Sequence, residues 1–388
     1  MKVALISAHS FLNPGGVQSH VLGLYKEFKK SGIETKIIVP RRKRNENYGK
    51  DVILLGTSFP LEFAGAMGDF DVYFNVFSLE KTLEKEKFDV LHFHNFGVPA
   101  FLQILLSSKI EKALKILTLH SNIEGSKFLK KYPFFLDVFL KICQWKIDGI
   151  IVVAPFLLNF LKKYKGKKEV IPNGIDLEKF NPKIPPALSF PDKKINILFV
   201  GRIEKRKGLI FLLKAFYLLE KEYPGKIRLI VVGDGPEKEK CLRFVKEKKL
   251  ENVIFLGQKK GNLASFYNSA DIFCAPSIFG ESFGIVLLEA MACQKPVVAF
   301  ANKGYKEFLK DKKGAILVKN RSYLELRNAL EKLIEDPKLR EKMGKIALKE
   351  AKEYSFEKIA KKVLNFYREC QKAKKSFYFL VLLEYLQL

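Results

Sequence analysis

The stretch VALISAHSFLNPGGVQSHVLGLYKEFKKSGIETKIIVP, residues 3–40, predicts the fold of the chain. An apolar run at 3–7 precedes a loop rich in Gly, Pro and Asn, and apolar residues at helical spacing follow. The helical pattern stops at Gly32, a residue typical of helix ends, and a second apolar run begins at Thr35. Strand, helix and strand in this order form a βαβ unit, from which parallel sheets covered by helices are built.

The same alternation recurs along the chain, which predicts an α/β protein with two doubly wound halves. Further strand candidates of the first half lie at 51–56, 88–94, 115–120, 149–154 and 169–174. The pattern restarts with strand candidates at 194–203, 227–232, 252–258, 270–277 and 295–300. We predict domains at 1–170 and 171–355, with a C-terminal helix of about 356–388 packing back on the first. Residues 165–169 or the irregular stretch 181–194 are the candidate connections. Because ligands bind beyond the carboxyl ends of such strands, two facing halves would share a cleft.

The charge composition indicates which classes of ligand the protein attracts. The chain has 388 residues, 48% of them hydrophobic, and its 69 basic and 42 acidic side chains give a formal net charge of +27. This excess attracts nucleotide phosphates, acidic lipid headgroups or nucleic acid. Lysines that solvate outer helix faces explain much of the charge equally well.

Cysteine usage and hydropathy indicate the compartment. The five cysteines are scattered through apolar segments without C-x-x-C spacing, which is typical of buried thiols in a reducing cytosol. The first residues show no signal-peptide pattern, and no run approaches the roughly 20 apolar residues of a membrane span. We expect a cytoplasmic protein that uses no cofactor and whose cysteines bind no metal.

Two loops carry residues suited to phosphate. In NPGGVQSH (13–20), Gly15 and Gly16 let the backbone approach a ligand just before a helix start, although a simple turn fits as well. In FVGRIEKRKG (199–208), Gly201 ends a strand, and Arg202 and Lys207 belong to a basic cluster ahead of the next helix. Its place at a strand end favours phosphate binding over a solvated charge run.

Two further loops carry groups suited to a sugar. LTLHSN (117–122) is a strand ending in His120, a residue type that is more often structural when it stands alone. GESFGIVLLEA (280–290) offers Glu281 at an exposed helix start and Glu289 two turns into the helix. Carboxylates are good acceptors for vicinal hydroxyls, so a ligand with diphosphate, ribose and sugar would use both kinds of group.

The ordered set of motifs resembles family 4 of the retaining glycosyltransferases, which have the GT-B fold of two Rossmann-like domains facing across a cleft. The motifs are the GG loop, IPNGID (171–176), FVGRIEKRKG, VVGDGP (231–236) and GESFGIVLLEAMA (280–292), and the resemblance runs from Val3 to Tyr367. SFLNPGGVQSHVLGL (10–24), FDVLHFH (88–94) and APSIFGESFGIVLLEAMA (275–292) look like the phosphatidylinositol α-mannosyltransferases. That group uses GDP-mannose and a membrane phosphoinositide.

The resemblance implies a role for each matching residue. It assigns catalysis to His120, Arg202, Lys207 and Glu281. It assigns donor binding to Gly15, Gly16, Gly201, Arg202, Lys207, Ser282, Phe283, Gly284, Ile285, Val286 and Glu289. It assigns acceptor binding to His9, Gln18 and Asn122.

Within this scheme Arg202 and Lys207 neutralise the leaving diphosphate in place of a metal ion. His120 contacts the transferred sugar, Glu281 holds its hydroxyls, and Glu289 takes the ribose hydroxyls. The implied donor is GDP- or UDP-linked, and the implied acceptor is a lipid or glycan at the inner membrane face.

The chain departs from this group at three points. Cys293-Gln294 replaces the usual Ala-Gly, His9 stands where those enzymes tend to carry tyrosine, and helix 75–88 mixes Lys with Glu instead of being strongly basic. The tail 372–388 either lies on an anionic membrane surface or packs on the fold.

Three functions remain open from the residues. The first is a retaining glycosyltransferase, and the second is another GT-B enzyme such as a phosphorylase or epimerase. The third, a nucleic-acid-binding protein, is disfavoured because no recognisable module is present.

Overall fold

The computed structural model describes residues 1–12, 15–63, 66–95, 99–121, 131–132, 134–259 and 261–386. The chain divides into two compact units. The N unit comprises Met1–Gly174 and Phe356–Leu388, and the C unit comprises Ile175–Ser355.

The N unit contains an eight-stranded sheet in the order β4-β3-β2-β1-β5-β6-β7-β8. Its strands are β1 (Lys2–Ser7), β2 (Glu34–Arg41), β3 (Val52–Phe63), β4 (Ala66–Val72), β5 (Val90–His94), β6 (Leu114–Leu119), β7 (Gly149–Val152) and β8 (Lys167–Val170). All neighbours pair in parallel except β3 and β4, which form an antiparallel hairpin. The sequence patterns did not predict β4, because its Gly68, Asp69 and Asp71 are residue types depleted in strands.

The helices of the first part of the N unit follow the predicted alternation. They are α1 (Gly16–Lys30), α2 (Val76–Glu86), α3 (Ala100–Leu105) and α4 (Phe134–Lys146), with short 3₁₀ turns at Ser108–Ile110 and Pro155–Leu161. Helix α1 ends at Lys30, and Gly32 adopts a left-handed φ of 73° just beyond it, where glycine is favoured.

The C unit contains a six-stranded, fully parallel sheet in the order β11-β10-β9-β12-β13-β14. Its strands are β9 (Ile195–Val200), β10 (Ile227–Val232), β11 (Val253–Phe255), β12 (Ile272–Ala275), β13 (Val297–Phe300) and β14 (Ala315–Val318). Its helices are α5 (Leu209–Glu222), α6 (Lys238–Glu247), α7 (Leu263–Asn268), α8 (Ile285–Ala292), α9 (Lys303–Leu309), α10 (Tyr323–Glu335) and α11 (Pro337–Ala351). Edge strand β14 was not among the predicted strands.

The last helix, α12 (Phe356–Leu386), returns to the N unit. Its buried residues Ile359, Val363 and Phe366 join one core with Val3 and Leu5 of strand β1. A Cβ on Gly23 of α1 would lie 2.2 Å from the Phe356 ring, so only glycine allows this approach. Among the described residues, no helix combines the length and apolarity needed to cross a membrane.

The turn after α8 places a residue other than glycine in a left-handed conformation. Gln294 adopts a left-handed φ of 60°, the conformation for which glycine is the usual choice. Its N–H donates to Met291 O and the N–H of Lys295 donates to Ala290 O, which closes the helix end before β13.

Candidate functional site

The basic loop after β9 rests on the glycine loop after β10. Gly201 donates its N–H to Val232 O at 3.0 Å, and Ile203 donates to Asp234 O at 2.9 Å. A Cβ on Gly233 would lie 1.9 Å from Gly201 O, so this close approach requires glycine. VVGDGP thereby supports the loop that carries Arg202 and Lys207.

The loop after β12 packs against the same basic loop. Ile278 donates its N–H to Arg206 O at 2.8 Å, and Gly208 has a φ of 68°. A Cβ on Gly208 would lie 2.0 Å from Pro276 O. Since β9 and β12 are neighbours in a parallel sheet, their carboxyl ends bring the Arg-Lys loop and the Gly-Glu-Ser-Phe-Gly loop together.

Glu281 lies at the centre of this contact, between two cations. Lys207 Nζ donates to Glu281 Oε1 at 2.7 Å, and Arg206 Nη1 donates to the same oxygen at 3.1 Å. The carboxylate was expected at an exposed helix start, but it is buried, because these side chains cover it. Burial raises the pKa of Glu281, but the charges of Lys207 and Arg206 outweigh that effect and hold the pKa below its ordinary value. The carboxylate is therefore ionised.

Arg202 differs from its neighbours in being accessible. Its side chain is 46% exposed, and its nearest acid is Glu204, with Nη1 and Oε2 3.9 Å apart. Glu204 is itself paired with another cation, since Arg206 Nε lies 2.5 Å from Glu204 Oε1, although the two groups are not aligned for a hydrogen bond. An anionic ligand could therefore bind the Arg202 guanidinium without breaking a close ion pair.

A second layer of polar residues holds the 276–284 loop. Tyr305 Oη lies 3.2 Å from Ser277 Oγ, and Asn302 Nδ2 donates to Ser277 O at 2.7 Å. A Cβ on Gly304 would lie 2.3 Å from Glu281 O. Sequence reasoning missed these supports and the contact of Arg206 with Glu281, although Arg206 belongs to the basic cluster of FVGRIEKRKG. The strand-end rule signals both, since Asn302–Tyr305 follow β13 and Arg206 follows β9.

Gly284 starts α8 in a left-handed conformation with a φ of 86°. Ile285 and Val286 are the first residues of that helix, where backbone N–H groups lack intrahelical acceptors. Phe283 is buried against the ring of Phe308, with centroids 4.4 Å apart. Ser282 lies between Phe283 and the buried Glu281. Helix geometry thus leaves the Ile285 and Val286 amides as candidate donors.

Glu289 is buried on α8 and paired with a tyrosine. Tyr267 Oη donates to Glu289 Oε2 at 2.7 Å. Burial raises the pKa of Glu289 to about 7, against the opposing effects of this hydrogen bond and of Lys179 and Lys207. The family resemblance assigns this carboxyl to ribose hydroxyls; in the structure it is buried and its Oε2 accepts from Tyr267.

We expect Glu289→Gln to gain stability relative to the unmodified chain as the pH rises. A carboxyl whose pKa is raised in the folded state stabilises the fold below the unfolded pKa, and this contribution is lost as the pH rises to about 7. The amide has no charge to bury, so the free energy of unfolding of the variant minus that of the unmodified chain should be roughly 1–3 kcal/mol larger at pH 8 than at pH 5. Urea midpoints at both pH values measure this. Exposed Glu251→Gln is the control, and an equal shift in both variants contradicts the prediction.

The N unit contributes an open helix start. Gly15 precedes α1 with extended backbone, and Gly16 is the first helical residue. A Cβ on Gly15 would meet nothing within 4 Å, so the space above it is free of described atoms. Gln18 donates its side-chain amide to Phe11 O at 3.4 Å, which holds the preceding loop. These positions suit an anionic ligand at the N-terminus of α1.

His120 belongs to a buried histidine cluster that sequence reasoning did not foresee. His120 Nε2 lies 3.1 Å from His94 Nδ1, and the His20 and His120 ring centroids are 4.9 Å apart. Burial lowers the pKa of His20 to about 3 and that of His94 and His120 well below the ordinary value, so the rings are neutral. Strands β5 and β6 end side by side, which was the available signal for pairing His94 with His120.

The cluster is also the place where described side chains could hold a metal ion. Nitrogens of His20, His94 and His120 lie within 4.8 Å of one another. Two of these rings already form a hydrogen bond, and His20 Nδ1 and His94 Nε2 have no partner among the described residues. The rings of His94 and His120 are stacked and that of His20 lies edge-on to both, and no step of the proposed function uses a metal there.

His9 and its partners lie beside the cluster. His9 Nδ1 is 3.3 Å from Asp69 Oδ2, which also accepts from the Ser10 N–H, and His9 Nε2 is 3.3 Å from Asn95 Nδ2. Asn95 Oδ1 accepts a hydrogen bond from the backbone N–H of His120 at 2.8 Å, so the Asn95 side chain joins His9 to His120. Asn122, the third predicted acceptor residue, lies outside the described residues.

The predicted site residues therefore form two groups. Those of the N unit are Gly15, Gly16, Gln18, His9 and His120, and those of the C unit are Gly201, Arg202, Lys207, Glu281–Val286 and Glu289. Within each unit they gather at the carboxyl ends of the sheet strands, where such folds bind ligands.

Comparison with known proteins identifies the family. Residues 14–179 match the family model for Glycosyltransferase Family 4, and residues 180–350 match that for Glycosyl transferases group 1. A phosphatidyl-myo-inositol mannosyltransferase of Mycobacterium leprae is 30% identical over 371 residues, covering 95% of this chain and 96% of the relative. The chain belongs to glycosyltransferase family 4. An uncharacterized glycosyltransferase of Methanocaldococcus jannaschii is 29% identical, covering 92% of this chain and 95% of the relative.

Solved structures agree with this family at the level of the fold. Sucrose-phosphate synthase from Thermosynechococcus elongatus superimposes with a TM-score of 0.76 at 22% identity, covering 96% of this chain and 99% of that one. The Anabaena protein Alr3699/HepE, solved with UDP and glucose, gives a TM-score of 0.73 at 18% identity, with 95% and 100% covered. The glycosyltransferase has the GT-B fold, as its motifs predicted.

Proposed function

We propose that this glycosyltransferase moves mannose from GDP-mannose, with retention of configuration, onto a lipid-linked or glycan acceptor at the cytoplasmic membrane face. The observation that carries the proposal is the ionised, buried Glu281 clamped by Lys207 and Arg206 beside the accessible Arg202. A carboxylate for sugar hydroxyls and cations for a diphosphate are thus fixed in one loop contact. The names of relatives at about 30% identity support mannose and an inositol-lipid acceptor.

The leaving group is the main electrostatic problem in this reaction. The bond from the anomeric carbon to the diphosphate oxygen breaks, and the developing negative charge is taken by Arg202 and Lys207. The acceptor hydroxyl bonds to the anomeric carbon on the same face, and its proton passes to the departing phosphate oxygen. This balance needs no base from the protein and no metal ion.

The remaining residues bind and orient the donor in this proposal. Glu281 accepts hydrogen bonds from sugar hydroxyls, and Glu289 accepts from the ribose hydroxyls. Gly15 and Gly16 let the diphosphate approach the start of α1, where free N–H groups and the helix dipole favour negative charge. The neutral His120 contacts the sugar as an uncharged hydrogen-bonding group, since burial keeps its pKa low.

A thermal-shift panel of nucleoside diphosphates tests the donor. We expect GDP to raise the melting temperature more than UDP does, because ligands that bind only the folded chain stabilise it by mass action. The Arg202→Gln variant should show a smaller GDP shift, with exposed Lys205→Gln as its control. A larger shift with UDP would replace mannose with another sugar, and no shift with any nucleoside diphosphate contradicts the proposal.

Transfer itself requires a separate assay. Radiolabelled GDP-mannose with a lipid extract should give a labelled lipid whose new bond has the α configuration of the donor, as measured by NMR. Donor turnover that depends on added phosphate would indicate a phosphorylase, and turnover without acceptor would indicate an epimerase. Full transfer to a water-soluble acceptor in the absence of lipid counts against a membrane substrate.

A further inference from the structure

Helix α4 of the N unit presents an apolar stripe to solvent. Phe134, Val138 and Trp145 are 55%, 47% and 71% exposed, and Lys141 stands between them. At 100° per residue, positions 134, 138, 141 and 145 fall within about 60° of one another. The opposite side of the helix is buried through residues such as Leu140 and Cys143. The stripe is therefore the outer face of a helix whose inner face packs on the unit.

The surroundings of this stripe are basic. The described residues 131–165 carry the lysines Lys131, Lys141, Lys146, Lys162, Lys163 and Lys165. Both aspartates of this segment are already paired, Asp137 with Lys163 at 2.8 Å and Asp148 with Lys374 at 3.0 Å. Lys146 Nζ also lies 4.2 Å from the Trp145 ring centroid.

We propose that the α4 stripe docks this glycosyltransferase on an anionic lipid bilayer, a step that rests on the lipid acceptor of the proposed function. Apolar side chains with tryptophan, edged by lysines, match the interface between acyl chains and acidic headgroups. A protein partner fits less well, because lysine is depleted from the centres of protein interfaces, whereas Lys141 lies in mid-stripe. On a bilayer its ammonium reaches the phosphates while its methylenes stay with the apolar face.

The inner face of α4 connects this surface to the acceptor end of the N unit. Leu136, Phe139 and Leu140 of α4 line a narrow cavity together with Asn95 and Ser121. Ser121 follows His120 directly, and the Asn95 side chain accepts a hydrogen bond from the backbone N–H of His120. Docking through α4 would therefore hold the His120 end of the sheet close to the membrane surface that carries the acceptor.

A second exposed aromatic site provides a matched control. Phe77 of α2 is 89% exposed and Phe74 lies just before that helix, but the lysines of α2 alternate with glutamates at 80, 81, 84 and 85. This surface exposes aromatic rings to a similar extent, but because its charges balance it should not bind an anionic bilayer in preference to a neutral one.

The only tryptophan of the chain, Trp145, lies in the stripe and reports docking directly. Vesicles of equal parts phosphatidylcholine and phosphatidylglycerol should shift its emission to the blue, and brominated lipids should quench it. Neither phosphatidylcholine vesicles nor heparin, a soluble polyanion that tests the +27 charge, should produce the shift. Binding to the anionic vesicles without any change in Trp145 emission overturns the proposal.

Variants test the stripe by vesicle flotation of the full chain. Replacing Phe134 and Val138 by Ser should weaken binding by about tenfold or more, and Lys141→Gln by about fivefold. The control pair Phe74→Ser and Phe77→Ser should bind like the unmodified chain. Equal losses in both pairs, or a concentration-dependent blue shift without lipid that indicates a dimer, overturn the proposal. GDP thermal shifts, measured without lipid, report separately on the proposed function.

Discussion

Glu281→Gln lowers the rate of sugar transfer by at least about a hundredfold while the chain stays folded. The carboxylate accepts hydrogen bonds from Lys207 and Arg206 and, in the proposed reaction, from hydroxyls of the sugar. The amide keeps the shape but loses the charge, and its NH₂ group cannot accept. Initial rates with saturating donor measure the effect, and circular dichroism with a thermal melt checks the fold.

The choice of glutamine follows from burial. Truncation to alanine would leave the Lys207 and Arg206 charges uncompensated in a buried site, at a cost of roughly 3–5 kcal/mol in the free energy of unfolding. The buried ion pairs make that variant a poor test, because lost activity and lost stability would coincide.

Glu204→Gln is the matched control, since Glu204 is also buried beside Arg206. It should lose similar stability but much less activity, because only Glu281 is proposed to contact the sugar. If both variants lose activity in proportion to their stability, Glu281 acts through the fold alone.

Lys207→Met lowers kcat by roughly 10² to 10³, with a smaller change in KM. The lysine neutralises charge that develops on the diphosphate only as the bond breaks, so its loss affects the transition state more than the bound donor. Methionine preserves the apolar stem against the loop. Steady-state kinetics at several donor concentrations separate the two parameters.

Two comparisons sharpen this test. Lys205→Met removes an exposed cation two residues away and should leave kcat within about twofold. Lys207 also pairs with Glu281, so its effect could pass through that partner. If Glu281→Gln with Lys207→Met loses no more than Glu281→Gln alone, Lys207 only holds the carboxylate, and the direct role on the diphosphate is wrong.

The sequence was sufficient to predict that the alternation of strands and helices occurs twice along the chain. Apolar runs such as 3–7 and 194–200 alternate with helical patterns. Because this periodicity depends only on neighbouring residues, it can be recognised without knowing the tertiary contacts. The same logic predicted that Arg202, Glu281 and His120 stand at strand ends. It did not predict β4, whose pairing with β3 depends on a register set across the hairpin.

Local sequence patterns were sufficient to predict the family, the strand–helix order and the residue types available at each strand end. They did not predict that Glu281 and Glu289 are buried, one ionised between Lys207 and Arg206 and the other with a raised pKa beside Tyr267. The same holds for the gathering of His20, His94 and His120, and for the outward stripe of α4. The physical reason is that burial and ionisation depend on atoms far apart in the chain, whereas propensity and periodicity depend on neighbours in sequence.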